Sequence, residues 1–585
     1  MKKSVYYLPL LMWAFVGCDP IGVEMPEYQG VAVAEPEALP ALDGTRETED
    51  EIANTSFDRT IRIVFSPSGD AVVTGDAHGI VTISGNGVTV NNTATTEKVR
   101  YELSGTTSDG FLKIYSNNKQ ALVLDGVSIT NPRGAAINNQ GKKRCFVVVQ
   151  GSSSLADGAA YTLTPSGEDE KAAFFSEGQL LFSGSGTLTV TATGKAGITS
   201  DDYVRFLASP TVKVTSSAGH GIRGKDAVIV SDGTVEATVS AAMKKAFSSD
   251  SLVRFEGGVT TLKVSGGTAQ DDEGEWSGSA GIKADKRFEM LSGVLSVVNS
   301  GQGGKGISGD ADGYFKGGSV TVTVTGSNYG SSSGGGFGHG GPGGGFGWGS
   351  SLTDNSVSAK GIKFDGSLYF CGADVAVRCS NHEGIEAKGA IGISDGSVYS
   401  YAKDDAINSA GHFVISGGRV FAQSTGNDGL DANGNLYIQG GTVYAIGSGS
   451  PELAVDANTE GGYRLYVSGG TLFAIGGLES GASLSQTCYS LSSHLSNTNY
   501  ALYDSKGSVL AVFKTPASVP SSLVVSGPDL QSVRSGVSVS GGSPFFDGLC
   551  TLGGSAAGGD EVGMTGYTGG GGFGPGGGGF GPGRW

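Results

Sequence analysis

Carboxylates and amides return in this chain at a nearly fixed interval. Glu383, Asp404, Asp405, Asp428, Asp431 and Asp456 each lie within three residues of Ile385, Ile407, Leu430 or Val455, which are 22, 23 and 25 residues apart. Glu386, Asn408, Asn427 and Glu452 fill equivalent places. Residues that recur with the period of a coiled chain stack into ladders, one rung ~4.8 Å from the next. Carboxylates that close repel one another unless something neutralises them. A cation taking about six to eight oxygens at ~2.3–2.6 Å removes the repulsion, and calcium tolerates mixed carboxylate, amide, carbonyl and water ligands. Any one of these residues also suits a turn, where its side chain accepts backbone N–H groups. The six carboxylates together are read as a calcium ladder.

A weaker set follows the earlier coils. Asp201, Asp250, Asp285, Asp310 and Asp365 each fall three residues after a repeated apolar position, and Asp226 falls four after. Lys195, Arg223, Lys225, Lys245, Lys283, Lys286 and Lys363 stand among them, so salt pairing on a solvated edge competes with metal there. A second column is aromatic. Tyr399, Phe421, Tyr444 and Phe473 each follow an inward-reading Val398, Val420, Val443 or Leu472 and are expected to point outward. Such a column needs a cover or a ligand. Strands after residue 477 are one cover. The other reading is a stacking platform for sugar rings.

The elements that position these residues are short strands on a coil. The apolar register continues upstream through Phe174, Ile198, Ile222, Phe247, Ile282, Ile307 and Ile362. Its steps are 24, 24, 25, 35, 25 and 55 residues, and the two long ones contain insertions at 268–278 and 327–358. A step just above twenty, with short strands and no helical pattern, predicts an all-β, right-handed parallel β-helix of about 22–25 residues per coil. Val320, Val322 and Val324 alternate with polar residues, as a one-sided core requires. Irregular coils are expected from residue 56, because the terminal coil must cap an open end. After 477 the period is lost, and residues 481–555 read as a small C-terminal β cap. The Gly/Phe-rich tail, 556–585, reads as disordered, with docking on the coil surface or on the Gly-rich loop as the runner-up.

At the N-terminus, Lys2 and Lys3 precede a short apolar run that ends at Gly17-Cys18. That is a secretory signal with a lipobox-like end, although Phe15 stands where Leu is typical, and it makes Cys18 the lipidation site. A plain signal peptide with an incidental Cys18 is the lesser alternative. Residues 18–55, acidic and Pro-containing, read as an extended stalk that would hold the folded part off a bacterial outer membrane or cell surface. The chain has 585 residues, 102 Gly and a net charge of −17, which argues against a nucleic-acid partner. Besides Cys18, five cysteines at unrelated spacings make no disulfide framework and no zinc site. Cys371 and Cys379 flank one Gly turn, where pairing and buried free thiols are both open.

The segments DGVSITNPRGAAINNQ, AGITSDD, GHGIRGKDAV, DDAINSAG, NDGLDANGNLYIQGGTVYAIGS and AVDAN resemble a secreted bacterial family, the carbohydrate-binding domain-containing proteins. The likeness runs over residues 56–477 and includes the Gly-Phe-Gly tail. It implies a pectate-lyase-like β-helix that holds calcium at coil turns and binds acidic polysaccharide such as polygalacturonate. The chain departs from the pattern at Glu386-Ala387-Lys388 and at Ala406-Ile407-Asn408, which lacks an Asp after the register residue. Three functions then compete. The first is a tethered, calcium-dependent binder of uronate-rich polysaccharide. The second is a calcium-dependent lyase, with Arg378, Lys388 and Lys403 as candidate bases on the acidic coils. The third is an adhesin whose calcium is purely structural.

Overall fold

Parallel pairing from coil to coil builds most of the molecule. The computed structural model describes residues 48–162, 164–330, 356–519 and 522–568. Cys18, the signal-like segment, the stalk up to residue 47, insertion residues 331–355 and tail residues 569–585 lie outside the described residues. Two sheets of 29 and 14 strands wind together into a parallel β-solenoid of about 15 turns. The only helical pieces among the described residues are three-residue 3-10 turns. None is long and apolar enough to cross a membrane.

The 14-stranded face carries the register. Ile137, Phe174, Ile198, Ile222, Phe247, Ile282, Ile307, Ile362, Ile385, Ile407 and Leu430 pair rung to rung. Bridges then extend the column to Val455 and Leu478. All of these side chains are fully or almost fully buried in one continuous core. Each contributes about 1.5–3 kcal/mol relative to exposure. The insertions do not disturb the column. Residues 269–277 fold out as a small antiparallel hairpin, and Ile307 still pairs onto Ile362 across its 55-residue step.

The larger sheet supplies two further faces per coil. Strands such as Leu368–Cys379 and Leu436–Ile446 run through both faces and break register at the corner. Gly418, Gly441 and Gly470 make that corner with φ of 72–80°. A Cβ at Gly441 or Gly470 would come within 2.6 Å of the carbonyl oxygen one rung back, so only glycine stacks there.

Both ends are closed. At the start, Arg59–Phe65 pairs antiparallel with Val72–Thr74. At the other end, Leu523–Ser526 pairs antiparallel with the last long strand, Leu465–Ile475, and with Cys488–Leu491. A six-stranded antiparallel sheet built from residues 499–562 completes the cap. The cap reaches past residue 555, because Asp560–Val562 and Met564–Gly566 are strands of it. The expectation of a disordered tail from 556 is therefore corrected for 556–568.

The stalk expectation is also corrected at its end. Asp50 is fully buried, accepting hydrogen bonds from Arg144 Nε at 3.1 Å, Arg205 Nη1 at 3.0 Å and the Tyr203 hydroxyl at 2.5 Å. Phe57 packs edge-on against Phe146. Residues 48–57 thus clip onto the outside of the solenoid. Composition hides this, since a short polar segment docks through Asp50, shared between Arg144 and Arg205, and through Ile52 and Phe57 against an outer apolar cluster. None of the five described cysteines is in a disulfide, Cys371 and Cys379 included.

Candidate functional site

The carboxylates predicted as a ladder sit where the larger sheet turns into the 14-stranded face, on its last rungs. Two columns run along that edge. Two residues before the register stand Glu383, Asp405 and Asp428, directly continuing Lys305 and Lys360. One residue after it stand Lys363, Glu386, Asn408 and Asp431, with Asp456 and Glu479 next in line through the bridged rungs.

The structure divides the six predicted ligands. Glu383 is already neutralised: Lys360 Nζ lies 3.1 Å from it and 2.5 Å from Glu386, and His382 Nδ1 contacts its carboxylate. Burial alone would raise the Glu383 carboxyl, but the His382 hydrogen bond and the Lys360 charge hold it near 2. Asp404 lies 3.4 Å from His382 and accepts the Asn427 amide at 3.0 Å. Asp405, Asp428, Asp431 and Asp456 have no lysine or arginine ion pair among the described residues. Asp405 and Asp428 are buried. Asp405 accepts the Asp428 N–H and the Asn408 amide, each at 3.1 Å, and Asp428 accepts the Leu453 N–H.

Burial and then mutual repulsion set the protonation of this group. Burial, with Asp431, Asp404 and Asp428 nearby, pushes the Asp405 carboxyl up to about 9. Burial, with Asp431, Glu452 and Glu479 nearby, brings Asp428 to about 7, and burial, with Glu383, Asp404 and Glu452 nearby, brings Asp431 to about 6. Asp456 is also raised, by burial and by the hydrogen bond it shares with Glu479, which is lowered in turn. Four neighbouring carboxylates without a basic partner form a donor set suited to a hard cation, and Asn408 adds an amide.

The donors are spread along the column rather than gathered. The ligand atoms that converge within 4.8 Å are those of His382, Glu383 and Asp404, a set whose imidazole suits a borderline metal better than calcium. His382 was missed from sequence, although it adjoins Glu383. Glu479 was missed too, although a step of 23 from Val455 reaches Leu478 just before it. A second convergent set, Asp169, Glu177 and Asp201, has Lys171 ion-paired to both aspartates. For the weaker Asp column, salt pairing is what the structure shows. Asp250 pairs with Arg223, Asp285 and Asp310 with Lys283, and Asp365 with Lys363.

Of the two readings of the aromatic column, cover by the strands after residue 477 is what the structure shows, and the sugar-platform reading is corrected. Tyr399, Phe421, Tyr444 and Phe473 do point away from the solenoid core, but they form a second core beneath the C-terminal cap. Phe513 stacks on Phe473 at 4.8 Å and meets Tyr444 edge-on at 5.3 Å. Phe421, Tyr444 and Phe473 are fully buried and have no face for a sugar ring; only Tyr399, at the open end, is 9% exposed. Burying three aromatic side chains against the cap is the stronger use of that surface. The candidate bases are dispersed. Lys388 pairs with Glu386, and Arg378 pairs with Asp547 away from the carboxylate columns. Lys403 has no ion pair among the described residues.

No curated protein matches the chain. Among solved structures, it is similar to a polysaccharide lyase-like protein from C. thermocellum, solved as a gadolinium derivative. The two share 19% identity at a TM-score of 0.34, over 54% of this chain and 99% of the other. The family model of carbohydrate-binding domain-containing proteins matches residues 84–406 and 346–473, which is most of the solenoid. On that match the chain belongs to the family of carbohydrate-binding domain-containing proteins.

Proposed function

We propose that the protein is a surface-tethered binder of acidic, uronate-rich polysaccharide whose affinity depends on calcium. The family supports polysaccharide binding in general. The observation that carries the finer reading is the run of Asp405, Asp428, Asp431 and Asp456 on consecutive rungs without a basic partner. An acidic protein repels an acidic polymer, so it must reverse its local sign to hold one. Asp405, Asp428, Asp431 and Asp456 would hold calcium along the column, with Asn408 beside them, and the metal would supply positive charge and coordination positions open to a carboxylate. The Cys18 lipobox and the acidic segment that follows support tethering; Cys18→Ala should release the protein from the membrane fraction.

Isothermal titration of polygalacturonate with and without EDTA tests the main reading. Binding should be lost on chelation, weak for neutral cellulose, and reduced in the double variant Asp428→Ala, Asp431→Ala, which keeps its fold because the Ile and Leu register carries the core. Affinity unchanged by EDTA would leave calcium as structural at most. Formation of an unsaturated, ultraviolet-absorbing product would instead favour a lyase.

A further inference from the structure

The edge of the C-terminal cap leaves a cleft against the solenoid beside the open end of the aromatic column. Its volume is about 410 Å³, within the range of sites that bury a small ligand. Arg378, Arg419, Tyr399 and Asp374 line it from the solenoid, and Phe545 and Asp547 line it from the cap.

The chemistry of the lining is specific. The Arg378 guanidinium lies 4.8 Å from the Tyr399 ring centroid, and that of Arg419 lies 4.2 Å from the Phe545 centroid. Arg419 also donates from Nε to Ser397 Oγ at 2.9 Å. Ring faces and this hydrogen bond fix both guanidiniums without neutralising them. Their carboxylate partners are distant and solvated: Asp547 is 3.4 Å from Arg378 and its side chain is 83% exposed, while Asp374 is 3.8 Å from Arg419 and 68% exposed. Ion pairs of that kind exchange readily for a better anion. The lip of the cleft is conformationally unusual. Phe546 and Asp547 are consecutive non-glycine residues with φ of 53° and 56°, and Phe546 is pinned against Phe421 at 5.6 Å. Left-handed backbone at bulky residues persists where surrounding packing enforces it, and such places gather at binding sites.

We propose that this cleft seats a uronate unit of a polysaccharide, with Arg378 and Arg419 donating to its carboxylate. The assignment rests on the acidic-polysaccharide reading above and adds a site separate from the carboxylate columns. Because the arginines occupy the ring faces, the cleft selects charge rather than a bare sugar face. Planar guanidiniums match a carboxylate in two-pronged fashion, which an ammonium cannot reproduce.

Titration of polygalacturonate in calcium tests the assignment. Arg378→Ala with Arg419→Ala should weaken binding by about 10- to 100-fold, as expected for charge-assisted hydrogen bonds. Arg378→Lys should recover only part of the loss, and fully methyl-esterified polygalacturonate should not bind. Asp547→Asn discriminates a binding role from a merely structural one. If Arg378 only fastens the cap, Asp547→Asn and Arg378→Ala both lower the melting temperature and leave affinity alone, which overturns the proposal. If Arg378 receives the ligand, Asp547→Asn frees it and tightens binding severalfold while Arg378→Ala weakens it. Wild-type binding that the arginine variants retain in full would sink the cleft alone. Failure of the wild-type protein to bind polygalacturonate would sink the acidic-polysaccharide reading and this assignment with it.

Discussion

Position for position, the rungs from 245 to 363 and those from 383 to 479 are the same coil, yet one run carries ammonium groups and the other carboxylates. Lys245, Lys305 and Lys360, with Ala280 on the rung between the first two, hold the place that Glu383, Asp405 and Asp428 hold later. Burial, with Lys244 and Lys283 nearby, pushes the Lys245 ammonium down to about 8, and burial with the Lys363 and Lys360 charges does the same to Lys305. The carboxylates move the opposite way, Asp405 reaching about 9. Burial beside like charges has one consequence in both runs: a group sheds its charge unless a counterion is at hand. Where the runs meet, Lys360 stands between Glu383 and Glu386 and the protein supplies both signs itself. The fold therefore leaves the choice of partner to a single side chain per coil.

Removing that junction should have the largest effect. Lys360→Ala would leave Glu383 and Glu386, whose side chains are 9% and 3% exposed, with only His382 and Lys388 beside them. A loss of roughly 3–5 kcal/mol in denaturant unfolding is expected, as for a broken buried pair. A loss below about 1 kcal/mol would mean that the two runs are electrostatically independent.

Titrating stability separates the runs more finely. For Asp405, Asp428 and Asp431 the folded values lie above the unfolded value of about 3.9. Their stabilising contribution is complete below that value and is lost as pH rises towards about 9. For Lys245 and Lys305 the folded values lie below the unfolded value of about 10.4, so their contribution is present above it and is lost as pH falls through about 8. The metal-free protein should therefore lose several degrees of melting temperature between pH 5 and pH 8, and regain part of it towards pH 10. Calcium should flatten the first slope, because it replaces protons on the carboxylates. Equal slopes with and without calcium would break the contrast drawn here.

The outer Asp column supplies the smallest effect. Arg223 and Asp250, at 2.7 Å, have side chains 24% and 46% exposed. Asp250→Ala should cost about 0.2–1 kcal/mol in thermal unfolding, and less in high salt. A larger or salt-insensitive loss would show that the basic run needs its outer acids for more than solvated pairing.

The register residues were legible because each coil packs only on its neighbours, so a spacing in sequence is a contact in space. The pairing of Ile307 with Ile362, across an insertion of unrelated composition, follows from that rule. Outward placement of Tyr399, Phe421, Tyr444 and Phe473 was legible for the same reason. Their cover by Phe513 and Tyr500 was only one of two open readings, since strand alternation reports direction and not what lies beyond the surface. Within the candidate site, the acidic rows were visible as a period. The neutralisation of Glu383 by Lys360, one rung back in the same column, was not read from that period, because spacing reports which residues stack and not which of them pair.

By itself, the sequence determined the solenoid, its register and the segregation of like charges along one edge, because repeat spacing and two-residue alternation are local and additive. Tertiary structure alone decided where distant segments land. Asp50 reaches Arg205 over 155 residues, and Asp547 reaches Arg378 over 169. Neither contact belongs to the repeat. Each depends on a non-repetitive segment folding back onto a face that many coils present almost identically, and the shape of that segment selects the coil on which it rests. The carboxylate columns could therefore be read from spacing, whereas the arginine cleft exists only once the cap has docked.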